Sequence, residues 1–256
     1  MSAVLAVRDL DVAIGGRTVV CGLDLDLGAG ERLAVLGRNG AGKTTLLHTL
    51  AGLRPPAAGR IELCGDALAG MPPRRAAQLR GVLLQQQMDA FPASVLETAL
   101  IGRHPWLDRW AWEGKSEEGL ARAALSAVGL AEFAARDVQT LSGGERQRLA
   151  VATLLTQAPR LALLDEPLSH LDLNHQVAVL ELLARTACDG GMAQVAVMHD
   201  PGLAARFCER ALLLYGDGRV ESGPVAEMLT AERLSALYQH PLRLVEVDGR
   251  RCFLPL

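Results

Sequence analysis

Residues Gly37 to Thr44 read GRNGAGKT, which satisfies the spacing GxxxxGK[ST]. That spacing suits a triphosphate. Glycines let successive backbone N–H groups point inward without Cβ obstruction, and a helix starting just after them adds its partial positive charge. Gly37, Arg38, Asn39, Gly40, Ala41 and Gly42 would supply the main chain of this cradle. Lys43 would reach the β- and γ-phosphates as a compact cation, and Thr44, followed by Thr45, would offer a hydroxyl to a bridging Mg2+. The bland alternative is a glycine turn with an incidental lysine. It fits poorly, because Lys43 and Lys115 are the only lysines in the chain and the motif sits between an apolar strand and a helix start.

Two further stretches carry chemistry. LALLDE, Leu161 to Glu166, is an apolar strand ending in acids. Asp165 is placed to hold Mg2+ through water, and Glu166, one residue on and pointing to the other face, could orient or deprotonate an attacking water. LSGGE, Leu141 to Glu145, precedes a long helix and puts Ser142, Gly143 and Gly144 at a second anion-ready helix start. The same residues also read as a capping box, with Ser142 as N-cap and Glu145 three residues later. A capping box does not account for the two glycines.

In this set of motifs the chain resembles the ABC (ATP-binding cassette) ATPase family. Its LSGGQ-type signature, here with Glu145 in place of Gln, closes over ATP held by a partner's phosphate loop. Order and spacing match along essentially the whole chain: phosphate loop at Gly37, Q-loop glutamine at Gln85, signature at Leu141, Walker B acid at Asp165, D-loop at Ser169 to Asp172, switch histidine at His199. The resemblance implies that Gln85 helps bind Mg2+ and reports nucleotide state to a helical lobe. Gln85 is chosen over Gln86 and Gln87 because VLLQ, ending a strand, matches the family's register. The resemblance also implies that His199 contacts the γ-phosphate and that Asp172 lies at a dimer interface. One departure concerns the base: where family members often stack an aromatic residue on adenine, this chain has Ile14, with Ala13 and Val12 no better.

Within the family the chain looks most like the ATPases that drive import of iron chelates, haem and cobalamin, through the segment FPASVLETALIGRHPW, the stretch LSHLDLNHQ and a tail ending in a hairpin. That resemblance implies a second copy of the chain, two membrane-spanning permease subunits and, indirectly, an external solute-binding protein. It also implies a peripheral location on the cytoplasmic face of the membrane. Trp106, Trp110 and Trp112 could line a groove for the permease or pack the lobe's own core. His170 and His175 lack further partners with metal-ligand spacing. A soluble ABC ATPase without a membrane partner and an exporter subunit are the alternatives. The first usually has tandem cassettes or long coiled-coil insertions, which are not seen here.

The elements that must position these residues follow from the pattern. Alternating apolar residues from Val4 to Ile14 and from Thr18 to Leu27, turning at Gly15 and Gly16, predict an antiparallel β layer. Arg32 to Leu36, Leu161 to Leu164 and Gln194 to Met198 read as buried parallel strands, Arg60 to Cys64 as a further strand, and Leu173 to Ala187 as a helix. Met88 to Pro159 turns to helical spacing. The expected fold is α/β: a P-loop NTPase (RecA-like) core with an N-terminal antiparallel β layer and an inserted helical lobe. Its parts would be 1-87 and 158-224 as core, 88-157 as the lobe, and 225-256 as a C-terminal helix (Val225 to Gln239) and a hairpin turning at Asp248 and Gly249. With 256 residues, half of them apolar, a sizeable core is expected. The formal net charge of -3, with no basic block, does not point to nucleic acid. Apolar runs are too short to span a bilayer, no export signal is visible, and the five cysteines form no CxxC pair, so a cytoplasmic chain with reduced thiols is expected.

Overall fold

The structure is a computed structural model that describes residues 3–85, 92–108 and 114–256. The chain opens with β1 (Leu5–Ile14) and β2 (Arg17–Leu27), an antiparallel pair turned at Gly15 and Gly16. Next come β3 (Arg32–Gly37), α1 (Lys43–Leu50), β4 (Ala58–Leu63) and the two-residue β5 (Asp66–Ala67). These are followed by α2 (Pro73–Leu79), β6 (Arg80–Leu83), α3 (Val95–Leu100), α4 (Lys115–Ala127) and α5 (Gly143–Gln157). After them lie β7 (Leu161–Asp165), α6 (Leu173–Gly190), β8 (Ala193–Val197), α7 (Pro201–Phe207), β9 (Arg210–Leu214) and β10 (Val220–Pro224). The chain closes with α8 (Val225–Met228), α9 (Ala231–Tyr238), β11 (Leu242–Val247) and β12 (Arg250–Pro255).

Two sheets form the frame. The N-terminal one has strand order β2-β1-β4-β5 and the other β10-β9-β3-β8-β7-β6, in which only β10 runs antiparallel to its neighbour. The parallel strands are continuous apolar runs because both faces are covered. Alternate residues Leu33, Val35, Leu161, Leu163, Val195 and Leu212 point into a core shared with α1 and the N-terminal sheet. Their neighbours Ala34, Leu36, Ala162, Leu164, Ala196 and Leu213 enter a second core with α3 to α7 and α9. The parallel strands therefore end on one side of the sheet, and their C-terminal ends carry Gly37, Asp165 and, just past β8, His199.

Element boundaries depart from the expected ones where tertiary context decides. The helix from Leu173 runs on to Gly190 and stops where Gly191 takes φ +66. The single C-terminal helix expected over Val225 to Gln239 is instead two: α8 ends before Leu229, and Thr230 caps α9 by accepting from the Arg233 N–H at 3.3 Å. Among the described residues no helix is long and apolar enough to cross a membrane.

Candidate active site

The phosphate-loop motif is built between the end of β3 and the start of α1. Gly42, the residue before the helix, has φ +102, and a Cβ there would lie 2.7 Å from the Cβ of Val19. Any larger residue would be strained and would also collide with the N-terminal sheet, which closes over the loop at that point. The buried Lys43 ammonium donates to the carbonyls of Gly37 at 2.8 Å and Arg38 at 3.0 Å, using two of its three protons. Burial pulls the Lys43 pKa down, and the carboxylates of Glu166 and Asp165 push it back up. Both acids are thus within electrostatic reach of the loop.

Asp165 closes β7 with no exposed surface, and neither carboxylate oxygen has a partner of full hydrogen-bond geometry. Burial raises its pKa, with Thr44, His48 and Lys43 working against the rise. A buried carboxylate with two unpaired oxygens beside a threonine hydroxyl is the donor set a hard divalent cation takes. Glu166 follows with a left-handed backbone, φ +50, held in a turn by the Ser169 N–H and hydroxyl, which donate to its carbonyl at 3.1 and 3.0 Å. That turn sends the Glu166 side chain away from Asp165 and into the path of two others. Gln85 Nε2 donates to Glu166 Oε2 at 3.0 Å, and His199 Nε2 lies 2.8 Å from Glu166 Oε1. Residues 81, 114 and 33 positions apart in pairwise sequence terms thus meet on one carboxylate. Behind them Gln147 donates to the Pro167 carbonyl at 2.9 Å, a buried bond that fixes the strand end against α5.

The LSGGE segment starts α5. Ser142 accepts from the Glu145 N–H at 3.3 Å while the Glu145 carboxylate accepts from the Ser142 N–H at 2.7 Å, so the capping box is real. Those bonds hold the Glu145 carboxyl below the usual carboxylate range. A Cβ at Gly144 would stand 3.1 Å from the His170 carbonyl, which explains one of the glycines. Among the described residues no hydrogen bond or ion pair joins Leu141–Glu145 to residues 37–45.

A family model described as ABC transporter matches residues 20–169. The chain belongs to the ABC transporter family. It is 42% identical over 94% of its length to the hemin import ATP-binding protein HmuV of Nocardia farcinica, covering 83% of that protein. It is 40% identical over 97% to the HmuV of Deinococcus radiodurans, covering 95% of it. Among solved structures, a chain of an inward-facing metal-chelate type ABC transporter superposes with TM-score 0.87 at 32% identity, covering 100% of this chain and 98% of that one. As a cassette of this family the chain binds ATP and is an ATPase coupled to transport.

Other ABC-motif residues fall as follows. Asp172 caps α6, accepting from the His175 N–H at 2.9 Å, with the His175 ring nitrogen at 2.9 Å from the same oxygen. These contacts hold its carboxyl low and give His175 a structural partner. Ile14 is exposed at the tip of the β1–β2 turn. Trp106 donates to the Gln157 carbonyl at 2.8 Å with Arg103 over its ring, so it is tied to α5 while 41% exposed. Trp110 and Trp112 lie outside the described residues. Sequence reasoning missed two contacts. The Arg38 guanidinium, in the phosphate loop, bonds to the Gln239 side chain at the end of α9, and no local pattern could signal a pair 201 residues apart. Val19, the wall of Gly42, reads in sequence only as an apolar strand residue.

Proposed function

We propose that this chain is one of two ATPase subunits of an importer for a metal chelate such as an iron-siderophore, haem or cobalamin. The pair would sit on the cytoplasmic face of the membrane beneath two permease subunits served by an external solute-binding protein. The reading of the site rests above all on the meeting of Gln85 and His199 on the Glu166 carboxylate. The class of cargo rests on the hemin import relatives and on the cobalamin import protein BtuD of Halobacterium salinarum, 37% identical over 91% of this chain.

In this reading residues 37–45 wrap the triphosphate with main-chain N–H groups and Lys43. Mg2+, bound by Thr44, Gln85 and Asp165 partly through water, would neutralise charge on the β- and γ-phosphates. Glu166 orients and deprotonates the attacking water, and its contacts with Gln85 and His199 aim the carboxylate before nucleotide arrives. His199 then meets the γ-phosphate. Ser142, Gly143 and Gly144 of the second copy cap the same ATP, and Asp172 lies on the shared face. Two ATP molecules close the dimer, and hydrolysis opens it.

The test is the Glu166→Gln variant. Hydrolysis should fall by about 10²- to 10⁴-fold, and light scattering should show a dimer only with ATP and Mg2+ together. A monomer under every nucleotide condition overturns the two-half-site reading. Uptake of hemin and of cobalamin into proteoliposomes holding the cognate permease then identifies the cargo.

A further inference from the structure

The C-terminal hairpin does more than end the chain. Between it, α7 and the start of α8 lies a cavity of about 640 Å³, within the range of small-molecule sites. Its apolar wall comes from Leu203, Val225 and Phe253, and its charged rim from Arg206, Arg250 and Arg251. The balance of charge is positive. Arg206 has Glu181 at 3.5 Å, and Arg251 reaches the neutral Ala226 carbonyl at 3.2 Å, while the Arg250 guanidinium makes no hydrogen bond or ion pair among the described residues. The one acid in the lining, Asp200, is committed to the N–H groups of Gly202 and Leu203 at 2.6 and 3.1 Å.

The position of this cavity gives it reach. Asp200 and Leu203 also line a second cavity, of about 350 Å³, whose other walls include Glu166 and His199. The two cavities share a wall, and His199 directly precedes Asp200 in the chain. We propose that the cavity under the hairpin is a regulatory site for an organic anion with an apolar body, whose occupancy clamps α7 to β12 and slows hydrolysis by restraining the segment that carries His199. An arginine fork suits a carboxylate, sulfonate or phosphate head, and the Leu203–Val225–Phe253 wall suits a hydrocarbon or aromatic body.

The probe is 8-anilinonaphthalene-1-sulfonate, titrated by fluorescence into the full chain with saturating ADP so that the nucleotide site is filled. Saturable binding is expected, at least tenfold weaker in the Arg250→Ala/Arg251→Ala variant and at least tenfold weaker for the uncharged N-phenyl-1-naphthylamine. ATP hydrolysis by the wild type should fall severalfold at saturating probe and stay unchanged in the double variant. Equal binding by wild type and variant, or equal binding of the uncharged probe, overturns the site; binding without any change in hydrolysis overturns the coupling. Should the double variant fold poorly, the exposed Arg250→Glu variant asks the same question. Because binding is read without turnover, its failure is distinct from a failure of the proposed importer function.

Discussion

Asp165 is the residue whose environment is least comfortable. Its carboxyl is buried with no partner of full hydrogen-bond geometry and burial raises its pKa, so the fold disfavours the ionised form. The sign of the linkage follows: the native state holds the proton more tightly than the unfolded chain, so stability falls as pH climbs from the ordinary carboxylate range through the raised native value, then levels off. Asp165→Asn should therefore raise the melting temperature of the nucleotide-free protein at neutral pH by about 2–4 °C, flatten that pH dependence, and abolish hydrolysis. Calorimetry across pH alongside an ATPase assay checks all three. The identity of Asp165 and Glu166 was legible in sequence because strand-end acids after LALL follow from chain pattern. Their opposite surroundings were not, since the left-handed turn at Glu166 and its bonds from Ser169 depend on three-dimensional closure.

Among the elements, the junction of β3, α1 and the β1–β2 layer is the most constrained. Gly42→Ala should cost about 2 kcal/mol or more, from the left-handed backbone and the contact with Val19 together. Adding Val19→Gly, which removes the Cβ as well as the two methyls that the new side chain would meet, should return part of that loss but not all of it, because the backbone strain stays. Denaturant melts of the two single variants and the double would show the coupling, and strictly additive losses would refute the collision. Helix and strand positions with strong local signals were readable: the buried runs of β3, β7 and β8, the capping box at α5, and the Asp-Gly turn between β11 and β12. The break between α8 and α9 had one local signal, Thr230 as the N-cap of α9, and it was masked by an apolar spacing that runs on from Val225 to Gln239. Short α2, between Pro73 and Leu79, offered too few turns to stand out.

For the whole molecule, the proposed site, shared between the phosphate loop of one copy and the signature of the other, predicts complementation in trans. A Lys43→Ala variant and a Gly144→Asp variant should each be inactive alone. Mixed one to one, they should recover about a quarter of wild-type sites, because half the dimers are heterodimers with one intact composite site each. No recovery on mixing would mean that each chain completes its own site. Folding order is also written in the sheet. β1, β2 and β4 pair among themselves within the first 63 residues, but β3 lies between β8 and β9. During synthesis, the strand that carries the phosphate loop has no partner on either side until about 160 further residues have been made, roughly 8 to 30 seconds at ribosomal speed. Through that interval the apolar run RLAVL stands as an unpaired strand on a nascent chain, which makes it the segment where chaperone binding, or aggregation in its absence, should begin.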